Sequence, residues 1–237
     1  MKIKKFKIQI FLDGAKIEDI KRYSNTEYIS GFTTNPSLLR KAGVVDYVSF
    51  VKKALPLSGG KPVSLEVISD DFGEMKRQAI ELNKFGRNVY VKIPVTNTKG
   101  VSSGPLIREL ALEKIKVNIT AVMTAAQISK LSGFISRDSP SIVSIFAGRI
   151  ADCGVNPVSI IKQAQKALRG LPNTKLLWAS SREIFNIRQA EDSGCDIITV
   201  TPELLSKIHL LGYDLERFSL DTVKMFYYDA LLSKLTI

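Results

Sequence analysis

Val89-Tyr90-Val91-Lys92-Ile93-Pro94 is apolar at almost every position, with a single lysine set inside it. A strand with one wet face alternates apolar and polar residues, whereas a strand covered on both faces reads as a continuous apolar run. This stretch therefore predicts a central strand of a parallel sheet. Seven more runs of the same β-branched character lie at 8–12, 29–33, 63–68, 115–120, 142–146, 175–179 and 195–200. Successive starts are 20 to 34 residues apart, close to the repeat of a strand–helix–strand unit.

Helical patterns occupy the gaps at 36–55, 70–85, 157–168, 181–190 and 202–210. Carboxylates open the second of these, and Pro157 opens the third, which Gly170 follows. Strands alternating with helices imply right-handed crossovers in a parallel sheet. Eight such units in 237 residues is the count that closes a barrel. The expectation is an α/β chain, a single-domain (β/α)8 TIM barrel over 1–237. The barrel itself takes up about 8–211, and an additional greasy C-terminal helix spans about 214–235. An open doubly wound sheet is the alternative. No GxGxxG follows a strand and no GxxxxGK[ST] occurs, so the usual nucleotide-binding markers are missing.

Lysine and arginine exceed aspartate and glutamate by 34 to 23, a net charge of +11 that calls for anionic partners without choosing among them. Lys2, Lys4, Lys5 and Lys7 precede an apolar run too short for the core of a signal peptide, and no stretch approaches ~18 continuous apolar residues. The chain is thus expected to be cytoplasmic, with no membrane association. The basic residues are scattered, with no reading motif or aromatic stripe, so nucleic acid is not expected as a partner either. Cys153 and Cys195 lack CxxC spacing, which supports neither a disulfide framework nor a zinc site. The one histidine, His209, reads as a position on a helix face, and that disfavours His-based triads and multi-histidine metal sites. Chemistry falls to lysine, carboxylates and hydroxyls.

In a barrel of this kind the residues at the C-terminal ends of the strands carry the chemistry. Those ends supply Asp13, then Thr33, Thr34 and Asn35, then Glu66, Lys92, Asn118 and Thr120, Ser144 and Arg149, and Ser180 and Arg182, all expected around one mouth. Lys92 facing inward is costly to bury as a cation, and burial favours the free amine that attacks carbonyls; a structural buried ion pair is the other reading. Asp13 suits either chemistry or the cap of a helix beginning near Ile17. Glu66 interrupts an apolar strand with no cap to serve, so it needs a partner or a function.

The segment Thr33-Thr34-Asn35-Pro36-Ser37 resembles the TTNPS signature of the transaldolase family. The resemblance extends in family order through Phe11-Leu12-Asp13, Val91-Lys92-Ile93-Pro94, Val117-Asn118-Ile119-Thr120, Ser144-Ile145-Phe146-Ala147-Gly148-Arg149-Ile150 and Ala179-Ser180-Ser181-Arg182. It implies class I aldol chemistry of the pentose phosphate pathway on a (β/α)8 barrel, with no metal and no organic cofactor. In that scheme Lys92 condenses with the C2 carbonyl of a ketose phosphate and Asp13 removes the C4 hydroxyl proton. Glu66 and Thr120 hold a water that relays protons. Thr33 and Phe146 are substrate-binding positions, while Asn35, Asn118 and Ser144 match the groups that hold the dihydroxyacetone hydroxyls, and Arg149, Ser180 and Arg182 the phosphate-binding set. The implied partners are sedoheptulose 7-phosphate or fructose 6-phosphate as donor, and erythrose 4-phosphate or glyceraldehyde 3-phosphate as acceptor. Fructose-6-phosphate aldolases, which release free dihydroxyacetone, carry glutamine and tyrosine where this chain has Glu66 and Phe146, so the resemblance favours transfer over cleavage. Gly14 and Ser181 depart from the pattern without removing a functional group. Compact members form rings through the C-terminal helix, which implies a homo-oligomer, pentamer or decamer.

Overall fold

The computed structural model describes residues 6–234; Lys2, Lys4, Lys5 and Leu235 lie outside the described residues. Eight strands, β1 (Gln9–Asp13), β2 (Ile29–Thr33), β3 (Val63–Glu66), β4 (Val89–Pro94), β5 (Val117–Val122), β6 (Ser141–Ile145), β7 (Thr174–Trp178) and β8 (Ile197–Val200), form a closed barrel in sequence order. Each pairs in parallel with its neighbours, and β1 closes the ring on β8. The chain is thus a TIM barrel, and the open sheet is set aside.

Around it run α1 (Ile17–Ser24), α2 (Pro36–Lys41), α3 (Tyr47–Leu57), α4 (Phe72–Lys84), α5 (Gly104–Leu112), α6 (Ala125–Ser132), α7 (Ala147–Asp152), α8 (Pro157–Ala167), α9 (Asn186–Asp192) and α10 (Pro202–Leu205), followed by the terminal α11 (Leu215–Leu232). Several expected boundaries move for local reasons. The single helix expected over 36–55 is two, because Gly43 takes a left-handed φ of 71° after α2 and the Asp46 side chain accepts from Ser49 N to start α3. The helix expected from residue 181 begins at Asn186, whose own Oδ1 accepts from the backbone of Arg182 and Glu183. The helix expected over 202–210 is a four-residue turn and then a short 3-10 turn, and His209 sits exposed on the latter with Nδ1 2.9 Å from Ser206 O. Helices α5, α6 and α7 add to the expected set.

Two apolar cores result. The larger lies between barrel and helices; the smaller, formed by Phe11, Ile142, Leu177, Ala179 and Ile197 with Tyr90 and Phe146 against it, fills the barrel itself. Strand side chains alternate faces, so the residues two further along, Asp13, Lys92, Ser144 and Thr199, sit one layer above that floor. The floor has one tight point: a methyl group on Gly31 would lie 2.6 Å from the Phe11 ring. Gly31→Ala should therefore destabilise the barrel by about 1–3 kcal/mol, the range for overpacked cores. Urea denaturation checks this, and adding Phe11→Leu should recover part of the loss, whereas independent additive costs would count against the clash.

Candidate active site

Strand register brings the polar layer together. Glu66 is directly opposite Lys92, and Lys92 is opposite Asn118. Lys92 is 6% exposed. Its Nζ lies 2.8 Å from Glu66 Oε2 and donates to the Thr34 carbonyl at 2.8 Å. Both readings of this lysine meet in one geometry: it is ion-paired, which offsets the cost of its burial, and its side chain still lines the cavity at the mouth of the barrel.

Asp13 lines the same cavity and accepts a hydrogen bond from Thr33 Oγ1 at 2.7 Å rather than capping the helix after it: α1 has Lys16 at its N-cap, with no side-chain cap bond. Desolvation raises the pKa of the Asp13 carboxyl above its ordinary value, against the pull of Lys92 and the Thr33 hydroxyl, while the Glu66 charge adds to the rise. Asn118 is held from both sides, donating to Ser64 Oγ at 3.0 Å and accepting from Ser144 Oγ at 2.7 Å. One amide N–H and one carbonyl lone pair remain for a ligand. Thr120 Oγ1 and Thr34 Oγ1 are buried and have no protein partner. The Asn35 carbonyl caps α2 through Leu38 N at 3.0 Å, and the residue also lines the cavity.

The rim is built by a close approach between the first turn of α7 and the loop after β7. Gly148, near the start of α7, is packed against the Ser180 backbone so tightly that any Cβ there would collide with it, and Ser180 holds a left-handed φ of 65°. Arg149, next in the chain, is exposed with its guanidinium 5.3 Å from the Phe146 ring centroid, and all of Phe146, Arg149 and Ser180 line the cavity. Arg182 does not join them. Its guanidinium is paired with Asp152, Nε to Oδ1 at 3.1 Å, both side chains being half exposed, and it does not line the cavity. A nearby carboxylate holds it there, a pairing that strand-end counting cannot anticipate.

Sequence reasoning passes over Ser64, which orients Asn118, and Thr199, which lines the cavity. Both carry a readable signal, since Ser64 lies two residues before Glu66 and Thr199 inside the eighth apolar run, where inward alternation selects them. Among the described residues no three His, Cys, Asp or Glu gather as metal ligands, and no helix is long and apolar enough to cross a membrane. The arrangement joins a buried amine to a carboxylate that can accept its proton, with a second carboxyl biased toward holding a proton, an uncommitted hydroxyl and a cation at the rim. Such a set suits proton-coupled attack of an amine on a carbonyl compound bearing an anionic tail.

Residues 10–230 match the family described as transaldolase/fructose-6-phosphate aldolase. A "probable transaldolase" of Caldicellulosiruptor saccharolyticus is 34% identical over 223 residues, 92% of this chain and 98% of that one. Another, of Carboxydothermus hydrogenoformans, is 36% identical over 204 residues, 85% and 90% of the two chains. In fold alone, the chain also resembles a putative dihydrodipicolinate synthase family protein of Coccidioides immitis, at a TM-score of 0.59 and 11% identity over 99% of this chain and 81% of that one.

A carboxyl raised by the fold disfavours its ionised form, so the penalty is full above the raised value and absent below the ordinary 3.8. Asp13→Asn should therefore raise the melting temperature at pH 7, with the gain shrinking as pH falls toward 4; thermal unfolding followed across pH measures it. A gain independent of pH would refute the burial argument.

Proposed function

We propose, since this chain belongs to the transaldolase/fructose-6-phosphate aldolase family, that it is a transaldolase moving a dihydroxyacetone unit from a ketose phosphate to an aldose phosphate through a Schiff base on Lys92. The observation that carries this reading is the Lys92 amine at the cavity wall, 2.8 Å from Glu66 and within the field of Asp13. Glu66 takes a proton from the Lys92 ammonium, and the freed amine attacks the C2 carbonyl of the donor. The carbinolamine loses water as Glu66 returns the proton, by way of a water shared with the uncommitted Thr120 hydroxyl. Asp13 removes the C4 hydroxyl proton; the C3–C4 bond breaks, its electron pair passing into the protonated imine to leave an enamine. The aldose phosphate departs, the enamine carbon attacks the acceptor aldehyde, and the new alkoxide takes the proton back from Asp13. Hydrolysis of the imine frees Lys92. Asn118, Asn35 and Ser144 hold the donor hydroxyls, Thr33 orients Asp13, and Arg149 with Ser180 takes the phosphate. For Arg182 to add its fork it must exchange Asp152 for the ligand.

Aldolase activity releasing free dihydroxyacetone is the second reading. Phe146, with no hydroxyl to activate water beside the enamine, and Glu66 favour transfer. The reading extends to assembly: α11 has no buried residue and exposes Phe218, Val223, Phe226, Tyr227, Leu231 and others, so we propose a homo-oligomer held by this helix.

Borohydride with fructose 6-phosphate should fix a dihydroxyacetone adduct on the Lys92 peptide, and a folded sample without the adduct would overturn the proposal. Glyceraldehyde 3-phosphate release should require erythrose 4-phosphate; release without it makes the chain an aldolase. Asp13→Asn should lower kcat by about 10²–10⁴, the span of a lost general base. In the wild type the acidic limb of kcat/KM should lie above the ordinary carboxylate range, because Asp13 must be ionised to act.

A further inference from the structure

At the opposite end of the barrel, below the starts of β4 and β5, a cleft of about 430 Å³ is lined by Asn83, Lys84, Gly86, Arg87, Lys114 and Lys116. Four of these six are cations and none is an acid. Among the described residues no carboxylate lies within 4.0 Å of Arg87, Lys114 or Lys116. The nearby acids are engaged elsewhere, Glu81 with Lys84 at 2.7 Å and Glu113 with Lys76 at 3.1 Å. Lys116 turns into the cleft wall, donating to the Arg87 carbonyl, with its ammonium 5.2 Å from the Tyr90 ring centroid. Burial there pulls its pKa below the ordinary lysine value, a cost that an anion beside it would relieve.

A backbone comparison within the chain points the same way. Helices α2, α7 and α9 end in the same double hydrogen bond, with Gly43, Gly154 and Gly194 at left-handed φ in the position after the cap. Helix α5 ends in that motif too, Lys114 N to Ala111 O at 3.0 Å and Ile115 N to Leu110 O at 2.9 Å, but the left-handed residue, φ 59°, is Lys114. Glycine occupies such a place without strain and lysine does not, so a conformational cost is borne at the position that puts a cation on this cleft. The other lysine at positive φ, Lys234, follows α11 outside the barrel.

We propose that this cleft binds the diphosphate group of a small molecule, on the face away from the mouth and independently of the chemistry there. Three cations without a carboxylate partner gathered in one hollow match two adjacent phosphates better than an extended polyanion, and the residues lining the cleft include no aromatic ring on which bases could stack. Free pyrophosphate and a nucleoside diphosphate both supply the group.

The test is calorimetric titration of the full chain with inorganic pyrophosphate at about 150 mM salt, in an Arg149→Gln background so that the rim of the mouth does not compete. One saturable site per chain is expected. Lys114→Gly and Arg87→Gln should each weaken it by roughly tenfold, the effect of losing one charge-assisted hydrogen bond. Lys114→Gly should at the same time raise the melting temperature of the free protein, which separates lost affinity from lost structure. ADP binding at least as tightly as pyrophosphate assigns a nucleotide source, and weaker ADP binding assigns the free diphosphate. Absence of saturable binding, or binding unchanged in both variants, overturns the proposal.

Discussion

An ammonium group drawn into the interior of a barrel loses hydration worth several kcal/mol, and here a carboxylate contact, Lys92 Nζ to Glu66 Oε2 at 2.8 Å, stands against that loss. The contact is set by strand register more than by side-chain choice, because Glu66 and Lys92 are direct partners across β3 and β4. A slip of one residue in β3 would turn Glu66 toward the helices and leave the lysine with only the Thr34 carbonyl. Closing the barrel and assembling the site are therefore one event. The same carboxylate that makes the charge tolerable is the nearest base for removing it, so the pair that stabilises the resting protein also begins the proposed reaction.

The layer beneath explains how so polar a group can sit inside a sheet. Phe11, Ile142, Leu177 and Ile197 fill the barrel below the lysine and are almost fully buried. Gly31 gives its volume to the Phe11 ring. This packed floor closes the barrel beneath the polar layer, whose cavity lies at the mouth. Within that layer each hydrogen bond restricts the next: Ser64 orients Asn118, Asn118 holds the Ser144 hydroxyl, and Thr33 holds Asp13. Two buried hydroxyls are left free, that of Thr34, whose backbone carbonyl accepts from the Lys92 amine, and that of Thr120, one strand away.

The eight strands were legible because buried parallel strands are continuously apolar and their spacing repeats. Their edges were less so. Ile115 belongs to the apolar run before β5, yet its N–H bonds back to Leu110 and so ends α5 instead of opening the strand. Ile8 is buried, but the acceptor nearest its N–H is the Glu191 side chain. Helices α5 and α6 have short amphipathic stretches, and their clearest marks, Gly104-Pro105 and the Thr124–Gln127 capping box, are boundary signals rather than periodic ones. In the site, strand-end polar residues were readable from position alone. The Arg182–Asp152 pair was not, because it joins residues 30 apart, one at the end of α7 and the other in the loop after β7, whose approach accompanies that of Gly148 to Ser180.

Unfavourable local features are not spread evenly over this barrel. Ala121 and Ser180 at positive φ, the unpartnered hydroxyls of Thr34 and Thr120, and the raised Asp13 carboxyl all lie at C-terminal ends of strands, in or near one cavity. Each costs free energy in the folded state, and three of them, at Asp13, Thr120 and Ser180, line the cavity itself, the kind of place where local costs gather at functional sites. Lys114 is the one left-handed non-glycine residue of the barrel at the other end. Three sister motifs in the same chain place glycine here, so helix termination alone does not call for the lysine. What distinguishes it is the charge it brings to a hollow already rich in cations. By the reasoning that locates the mouth from its local costs, that second end of the barrel is also a place where something binds.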